Sequence, residues 1–495
     1  MASRLKFVLL PLFMGAMINL AFKPAGLWFL VFPAMAVFPF FRYRNSQQRL
    51  LFGWLTGFFI QAFGYTWIFT TIRDFGGLSS LVSAAGAFLF WAYQGFDFAL
   101  WFLLAPLLFK KNREQKGCPS DQGWYLLGDA GLFFLIQCHF YPYVFPWNLS
   151  AALTESPFLT TASLCSSHGL VFFITLTGLT LGEMARRKRA HQPIQTGPFA
   201  FLAFSVAILS LGSFLYQPQS AVKHLKVGIV QPNIIPWAKR DRGSFKEIFD
   251  KHIQMTLTLN EKKPDLILWS ETSMNFILAN NQAYVDYFQE LADTMGTGLM
   301  LGALGKDSKG YTNEIWLFTP QKEPQVYAKE KLVMFSESLP WPFFWAEYLV
   351  AGIGNFHSGE KNAVFSFKDL KINPLVCFEA ILPHYTAKRD AQLLVNLTND
   401  AWFGPSKASS LHLQHLQMRT VENGLPLVRA ANSGISCWID TKGKIQGPTA
   451  VYEASAVIYD IPIPSKSNPR VWPWMEGFLT FLTVCLVFFL KTKKK

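Results

Sequence analysis

The sequence predicts a polytopic α-helical membrane domain of about eight spans joined to an α/β domain of layered sheets. Charge is the first indication. Of 32 acidic residues only seven precede residue 221: Asp74, Asp97, Glu114, Asp121, Asp129, Glu155 and Glu183. Composition is the second: 51% of the chain is apolar and phenylalanine alone contributes 48 residues, more than a water-soluble chain of this length usually carries. The third is a change of period from Leu225 onward, where long apolar runs give way to short strand-like and amphipathic ones. The expected division is a membrane domain over 1–220, an α/β domain over 221–466, and a last span with a basic tail over 467–495.

A helix needs about 20 apolar residues to cross a bilayer. Candidate spans run over 6–22, 26–41, 50–70, 80–109, 124–143, 159–185, 198–216 and 473–490. Basic clusters lie between them at Arg4/Lys6, Arg42/Arg44/Arg49, Lys110/Lys111/Arg113/Lys116, Arg186/Arg187/Lys188/Arg189 and Lys491/Lys493/Lys494/Lys495. If all eight runs cross, every cluster falls on one side, which the positive-inside rule makes the cytoplasm. The 221–466 block then lies outside the inner leaflet, and the C-terminus is cytoplasmic. The net charge of +13 therefore reads as membrane orientation and not as a nucleic-acid surface. The N-terminus resembles a signal peptide, yet it has no clear small-residue cleavage site and further spans follow at once. The six cysteines (118, 138, 165, 377, 437, 485) show no paired spacing, so no disulfide framework is expected. Gln94, Asp97, Asp129, His139, Ser166, Ser167 and His168 fall in or near spans. They form no regular chain of the kind an ion path requires, and are read as helix–helix hydrogen-bonding or headgroup-level groups.

In the α/β domain, strand-like runs begin with Lys226–Asn233, closed by a Pro/Asn breaker, and continue over 265–270, 298–304, 314–319, 326–333, 372–378, 392–397, 426–431, 435–440 and 456–461. Helical patterns over 245–262, 283–296 and 409–423 separate some of them. In the second, Val285, Phe288, Leu291, Ala292 and Met295 recur on one face. The insertion 339–352 is densely aromatic and fits neither pattern. Tryptophan and tyrosine favour the membrane interface, so Trp341, Phe343, Phe344 and Trp345 are read as a loop dipping into the outer headgroup region.

The chemistry centres on Ile372–Glu379, an apolar run carrying one thiol to its end, with a carboxylate two residues on. A thiol attacks only as thiolate. A nearby carboxylate can take its proton, and an ammonium can stabilise first the thiolate and then the tetrahedral oxyanion. Glu271 suits the base, Lys329 the cation and Cys377 the nucleophile, with the backbone N–H of Phe378 as a second oxyanion donor. Taken singly, Cys377 reads as a buried thiol, Glu271 as a turn cap and Lys329 as a solvated strand residue; their order along the chain favours the joint reading. The chain has no G-x-S-x-G and no HExxH, so His412 and His415 are read as core or surface groups and no metal site is expected.

Trp269-Ser270-Glu271-Thr272, Tyr327-x-Lys329-x-x-Leu332-Val333-x-Phe335-x-Glu337 and Cys377-Phe378-Glu379 resemble the three signatures of the nitrilase (carbon–nitrogen hydrolase) superfamily. Asn396–Gly404 and Arg429–Gly434 extend the match. With seven spans before this domain and one after, the whole chain resembles the apolipoprotein N-acyltransferases. The resemblance implies an αββα sandwich, a Glu271–Lys329–Cys377 triad and no cofactor. It also implies a two-step reaction: Cys377 takes an acyl chain from a phospholipid, typically phosphatidylethanolamine, and passes it to the α-amine of the S-diacylglyceryl-cysteine of an apolipoprotein. The setting it implies is the inner membrane of a diderm bacterium, with the catalytic domain in the periplasm. Lys329 matches the family's lysine because it stands eight residues before Glu337; Lys331, expected on the same strand face, is the alternative. Glu337 and Glu379 match supporting acidic residues, and Asn313 a polar position near the pocket. The chain departs from the pattern at Ser270 and Met334 (usually proline), Ser336 (glycine) and Phe378 (often tyrosine), which bears on acyl preference and loop conformation. Two other readings compete. One is a membrane-tethered amidase whose second acceptor is water. The other is a transporter or scaffold with an inactive enzyme-like domain, which would lack a triad member and show a charged path through the spans.

Overall fold

A computed structural model describes residues 2–42, 44–108, 123–194, 196–240, 242–342, 344, 354, 356–360, 364–387, 390–467 and 471–492. The clusters at Lys110–Lys116 and Lys493–Lys495, Cys118, and Phe343 and Trp345 of the aromatic insertion lie outside the described residues. The chain forms two compact units. One comprises Met1–Arg73, Leu78–Gln217 and Arg470–Lys495, the other Asp74–Gly77 and Pro218–Pro469.

The first unit is helical. Among the described residues three helical runs, Ser80–Leu108, Leu159–Arg189 and Thr196–Leu215, are long and apolar enough to cross a membrane, and Phe7–Ala21 and Trp28–Phe41 are shorter apolar ones. The segment expected as a span over 26–41 is broken into Trp28–Leu30, Val31–Met35 and Phe38–Phe41. Pro33 and Pro39 remove backbone donors there, and a proline ring clashes with the preceding turn. The 80–109 run is likewise divided at Gly95 into Ser80–Gln94 and Phe96–Leu108. A Cβ on Gly57 would stand 1.9 Å from the Gly95 carbonyl oxygen, so these glycines let two helices touch backbone to backbone. Gln94 accepts from the Val144 N–H (2.7 Å) and donates to Phe145 O (2.8 Å), while Asp97 accepts from Tyr143 Oη (2.6 Å). Asp129 pairs with Arg42. Each of these polar groups thus has a partner on another segment.

The second unit carries thirteen strands among the described residues: β1 (Ala221–Gln231), β2 (Leu266–Leu268), β3 (Met274–Ile277), β4 (Gly298–Asp307), β5 (Gly310–Thr319), β6 (Lys322–Ala328), β7 (Phe365–Phe367), β8 (Leu370–Val376), β9 (Leu393–Thr398), β10 (Leu427–Ala431), β11 (Cys437–Ile439), β12 (Ile445–Gln446) and β13 (Ser455–Pro464). One sheet runs β13-β1-β2-β4-β5-β6 with β3 beside β4; the other runs β12-β11-β10-β9-β8-β7. Side chains alternate faces along a strand, and the packing follows that alternation. Leu266, Leu268 and Met300 point between the sheets, into a core with Ile372, Leu393 and Val428. Ile267, Leu299 and Leu301 point the other way, against Phe288 and Ala292 of the helix Gln282–Met295. Leu413 and Leu416 of the helix Ala408–Asn423 pack in one buried cluster with the second sheet. The layers are therefore helix, sheet, sheet, helix. Each fully buried aliphatic side chain contributes about 1.5–3 kcal/mol of burial free energy.

The strand expected over 326–333 ends at Ala328. The cause is Glu379, whose Oε1 accepts the backbone N–H groups of Glu330 (2.7 Å) and Lys331 (3.0 Å) and draws the chain off the sheet. Lys331 therefore shares no strand face with Lys329.

Candidate active site

Strands β8, β9 and β10 are mutually parallel, which brings their carboxyl ends together, where α/β folds gather their reactive groups. Cys377 follows β8 directly, with φ of 52°. A non-glycine residue in the left-handed region costs about 1–3 kcal/mol and persists only where its surroundings hold it. They do so here. Asn396 Nδ2 donates to the carbonyls of Cys377 (2.9 Å) and Leu375 (3.1 Å), and Glu379 Oε2 accepts the Val376 N–H at 2.8 Å. The sharp turn presents the thiol off the strand end, where it is 9% exposed, and Thr398 Oγ1 donates to Sγ at 3.4 Å.

Glu271 lies three residues beyond β2, in a turn that places Thr272 at φ 45°. Gly302 of β4 makes room for it, since a Cβ there would meet the Thr272 nitrogen at 2.6 Å. Lys329 extends from the end of β6. Its ammonium lies 2.8 and 2.9 Å from the two Glu337 oxygens and 3.8 Å from Glu271 Oε1. Asn313 joins the two acids, its Nδ2 donating to Glu271 (2.8 Å) and Glu337 (3.0 Å). The Asn399 N–H donates to the other Glu271 oxygen at 2.8 Å. Lys329 Nζ also stands 5.7 Å from the centre of the Phe378 ring. Glu271, Lys329, Glu337, Asn313, Phe378, Glu379 and Cys377 are thus brought into one buried cluster.

Electrostatics assign the charges. Burial raises the Glu271 carboxyl above its ordinary range, against the pull of Lys329. Burial works to strip the Lys329 proton, but Glu337 and Glu271 outweigh it and keep the ammonium charged well above its usual range. Burial, then the Glu271 charge, push the Cys377 thiol up, so the resting group is a neutral thiol beside a carboxylate. Burial pushes Glu379 up to about 7.

Several supporting groups come from the stretches Asn396–Gly404 and Arg429–Gly434 that extend the family match, and Lys239 from a stretch that no motif marks. Asp400 accepts from Thr398 (3.1 Å) and from Arg429 (2.5 Å), and Arg429 also holds Asn396 Oδ1 at 2.8 Å. A buried ion pair thus backs the residues that touch Cys377. Lys239 donates to the carbonyls of Glu271 (3.3 Å) and Thr272 (3.0 Å), and burial lowers its amine to about 8. Arg429 stands 33 residues from Asn396 and Lys239 stands 32 from Glu271, so no spacing rule would pair them. Asn432 Nδ2 donates to Asn399 Oδ1 (3.0 Å), fixing the loop above Glu271. His412 packs between Asp400 and Arg429. In the insertion, Trp341 is 81% and Phe344 57% exposed. A separate cavity of about 290 Å³, lined by Lys306, Asp307, Glu314 and His357 among others, contains none of Glu271, Lys329 and Cys377.

Glu379 is expected to be a positioning residue. Its two oxygens accept from Val376, Glu330, Lys331 and Tyr327 Oη, and a glutamine can accept on one side only. Glu379→Gln should lower stability by about 1–3 kcal/mol through an unsatisfied buried donor, read as a lower Tm, and should slow acylation of Cys377. Unchanged Tm and rate would remove Glu379 from that role.

A thiol held in a strained turn beside a buried Glu–Lys–Glu cluster, at the strand ends of a two-sheet sandwich, is the arrangement of a carbon–nitrogen hydrolase domain. The carbon–nitrogen hydrolase family model matches residues 226–465, and the apolipoprotein N-acyltransferase N-terminal domain model matches residues 14–180. The apolipoprotein N-acyltransferase of Pseudomonas syringae pv. tomato is 27% identical over 97% of this chain and 95% of its own length. That of Geobacter metallireducens is 28% identical over 84% and 81%, and that of Brucella melitensis biotype 1 is 31% identical over 69% and 68%. The chain belongs to the apolipoprotein N-acyltransferase family.

Proposed function

We propose that this protein moves an acyl chain from a phospholipid to the N-terminal amine of a diacylated apolipoprotein through a thioester on Cys377. Glu271 removes the thiol proton as sulfur attacks the ester carbonyl, and Lys329, with the backbone N–H of Phe378, stabilises the oxyanion. The carbon–oxygen bond to the glycerol breaks, the departing oxygen takes the proton from Glu271, and a lysophospholipid leaves. The α-amine of the S-diacylglyceryl-cysteine then attacks the thioester and gives a proton to Glu271, which returns it to the departing sulfur. Phosphatidylethanolamine is the proposed donor. The observation that carries this reading is the buried carboxylate–ammonium–carboxylate cluster beside a strained thiol. Family membership favours an amine over water as the second acceptor.

The proposed setting is the inner membrane of a diderm bacterium, with residues 1–220 and 467–495 spanning eight times in all, residues 221–466 in the periplasm and the C-terminus in the cytoplasm. The five basic clusters support that orientation. Trp341, Phe343, Phe344 and Trp345 would lie in the outer headgroup region, a reading favoured by the exposure of Trp341 and Phe344. Changing these four to serine is expected to slow acylation by phospholipid vesicles while sparing a water-soluble ester; equal rates on vesicles would refute the membrane contact.

The test of the reaction is intact mass spectrometry after incubation with phosphatidylethanolamine. One added acyl mass, removed by hydroxylamine and discharged by a diacylated lipopeptide, is expected; an adduct that water alone discharges at the same rate would favour the amidase. Glu271→Gln should slow acylation about 10²–10⁴-fold. A base with a raised carboxyl pKa is lost at higher pH than an ordinary one. The acid limb of the wild-type rate should therefore lie above about pH 4.3, and a limb at or below that value would mean another group is the base.

A further inference from the structure

Three groups in the helical unit remain without a role. His139 lies in the short helical turn Ile136–Phe140, His168 lies near the start of the helix Ala162–Arg189, and Glu476 lies near the start of Trp472–Thr492. One ligand atom from each lies within 4.8 Å of the other two. The two imidazoles are 5.6 Å apart between centres, at 72°. His168 Nδ1 stands 3.2 Å from Glu476 Oε1, and this buried nitrogen lacks a partner aligned for hydrogen bonding.

The backbone is bent to make this arrangement. Ser166 breaks the helix with φ 60° and ψ 174°, a conformation that a serine adopts only when held there. Its hydroxyl hydrogen-bonds to Glu476 Oε1 and accepts the His168 N–H at 3.0 Å. That is how an outer group orients a coordinating carboxylate.

We propose that His139, His168 and Glu476 form a binding site for a divalent transition metal of the zinc class, tying three helical segments together. Two imidazole nitrogens and one carboxylate oxygen are the donors such an ion prefers. Magnesium and calcium need a larger set of oxygens. Donors at about 2.0–2.1 Å around a tetrahedral ion stand about 3.4 Å apart, so the cluster closes by roughly an ångström on binding. The exposed ring of His139 supplies that movement, and a fourth position stays open to water. The competing arrangement is a metal-free His168–Glu476 ion pair, which makes no use of His139.

The test uses the untagged full-length protein in detergent, stripped with a chelator and dialysed against micromolar zinc. About one equivalent of zinc beyond that held by Glu476→Gln is expected by elemental analysis, with visible absorption bands on cobalt substitution and a higher Tm with zinc than with magnesium. His139→Ala, which removes an exposed ring, should abolish the same equivalent. Equal zinc in wild type and His139→Ala, or no zinc bound by the wild type, would overturn the proposal. Acylation of Cys377 serves as the folding control, since none of these residues belongs to that site.

Discussion

Cys377→Ala is expected to abolish the hydroxylamine-sensitive acyl adduct and to lower turnover by about 10⁴-fold or more, the scale seen when a covalent nucleophile is deleted. Stability should change little. The sulfur is small, and the hydroxyl that donates to it, Thr398 Oγ1, keeps Asp400 as an alternative partner at 3.1 Å. Cys377→Ser sharpens the test. With its proton more tightly held than a thiol's, the hydroxyl should form no thioester and at most a slow oxygen ester that resists neutral hydroxylamine. The measurement is intact mass with and without hydroxylamine, and an adduct of wild-type amount in the alanine variant would place the nucleophile elsewhere.

Lys329→Met is the second large effect, and it should act on rate and stability together. The ammonium is the near counter-charge to Glu337 at 2.8 Å and to Glu271 at 3.8 Å. Removing one partner of a buried ionic cluster costs about 3–5 kcal/mol, because the carboxylates remain desolvated. Burial already raises Glu271, and Lys329 is what opposes that rise, so in the variant the folded-state carboxyl pKa climbs further above its unfolded value. A group raised in this way contributes stability below the unfolded pKa and loses it as pH rises through the folded one. The Tm deficit should therefore be larger at pH 8 than at pH 5. Turnover should fall at least as far as in Glu271→Gln, since the oxyanion loses its cation and the base is protonated. Lys329→Arg should not restore it, because a planar fork does not replace a point charge. A methionine variant with wild-type Tm at pH 8 would mean that the cluster is not held as described.

Much of the candidate set was legible in short stretches of chain. Glu271 follows an apolar run that reads as a strand, Lys329 and Cys377 lie within such runs, and Glu337 follows Lys329 by a fixed step. The helices Phe245–Asn260, Gln282–Met295 and Ala408–Asn423 were legible as patterns over 245–262, 283–296 and 409–423, the second through its three- and four-residue periodicity. Other features resisted such reading. The strand expected through residue 333 stops at Ala328 because a carboxylate 49 residues further on takes the Glu330 N–H. The span expected over 26–41 is broken by prolines that an apolar count does not weigh.

Taken alone, the sequence determined that a charge-poor apolar part adjoins an α/β domain, and which residues could supply a thiol, a base and a cation. Those are properties of composition and near-neighbour spacing, written into a few residues at a time. The tertiary structure decided which partners hold those groups. Asn313 bridges two acids, Asp400 and Arg429 back the thiol, Ser166 turns toward Glu476, and His139 and His168 meet it. These depend on where strands end and helices bend, which the packing of the whole chain sets and no local pattern encodes.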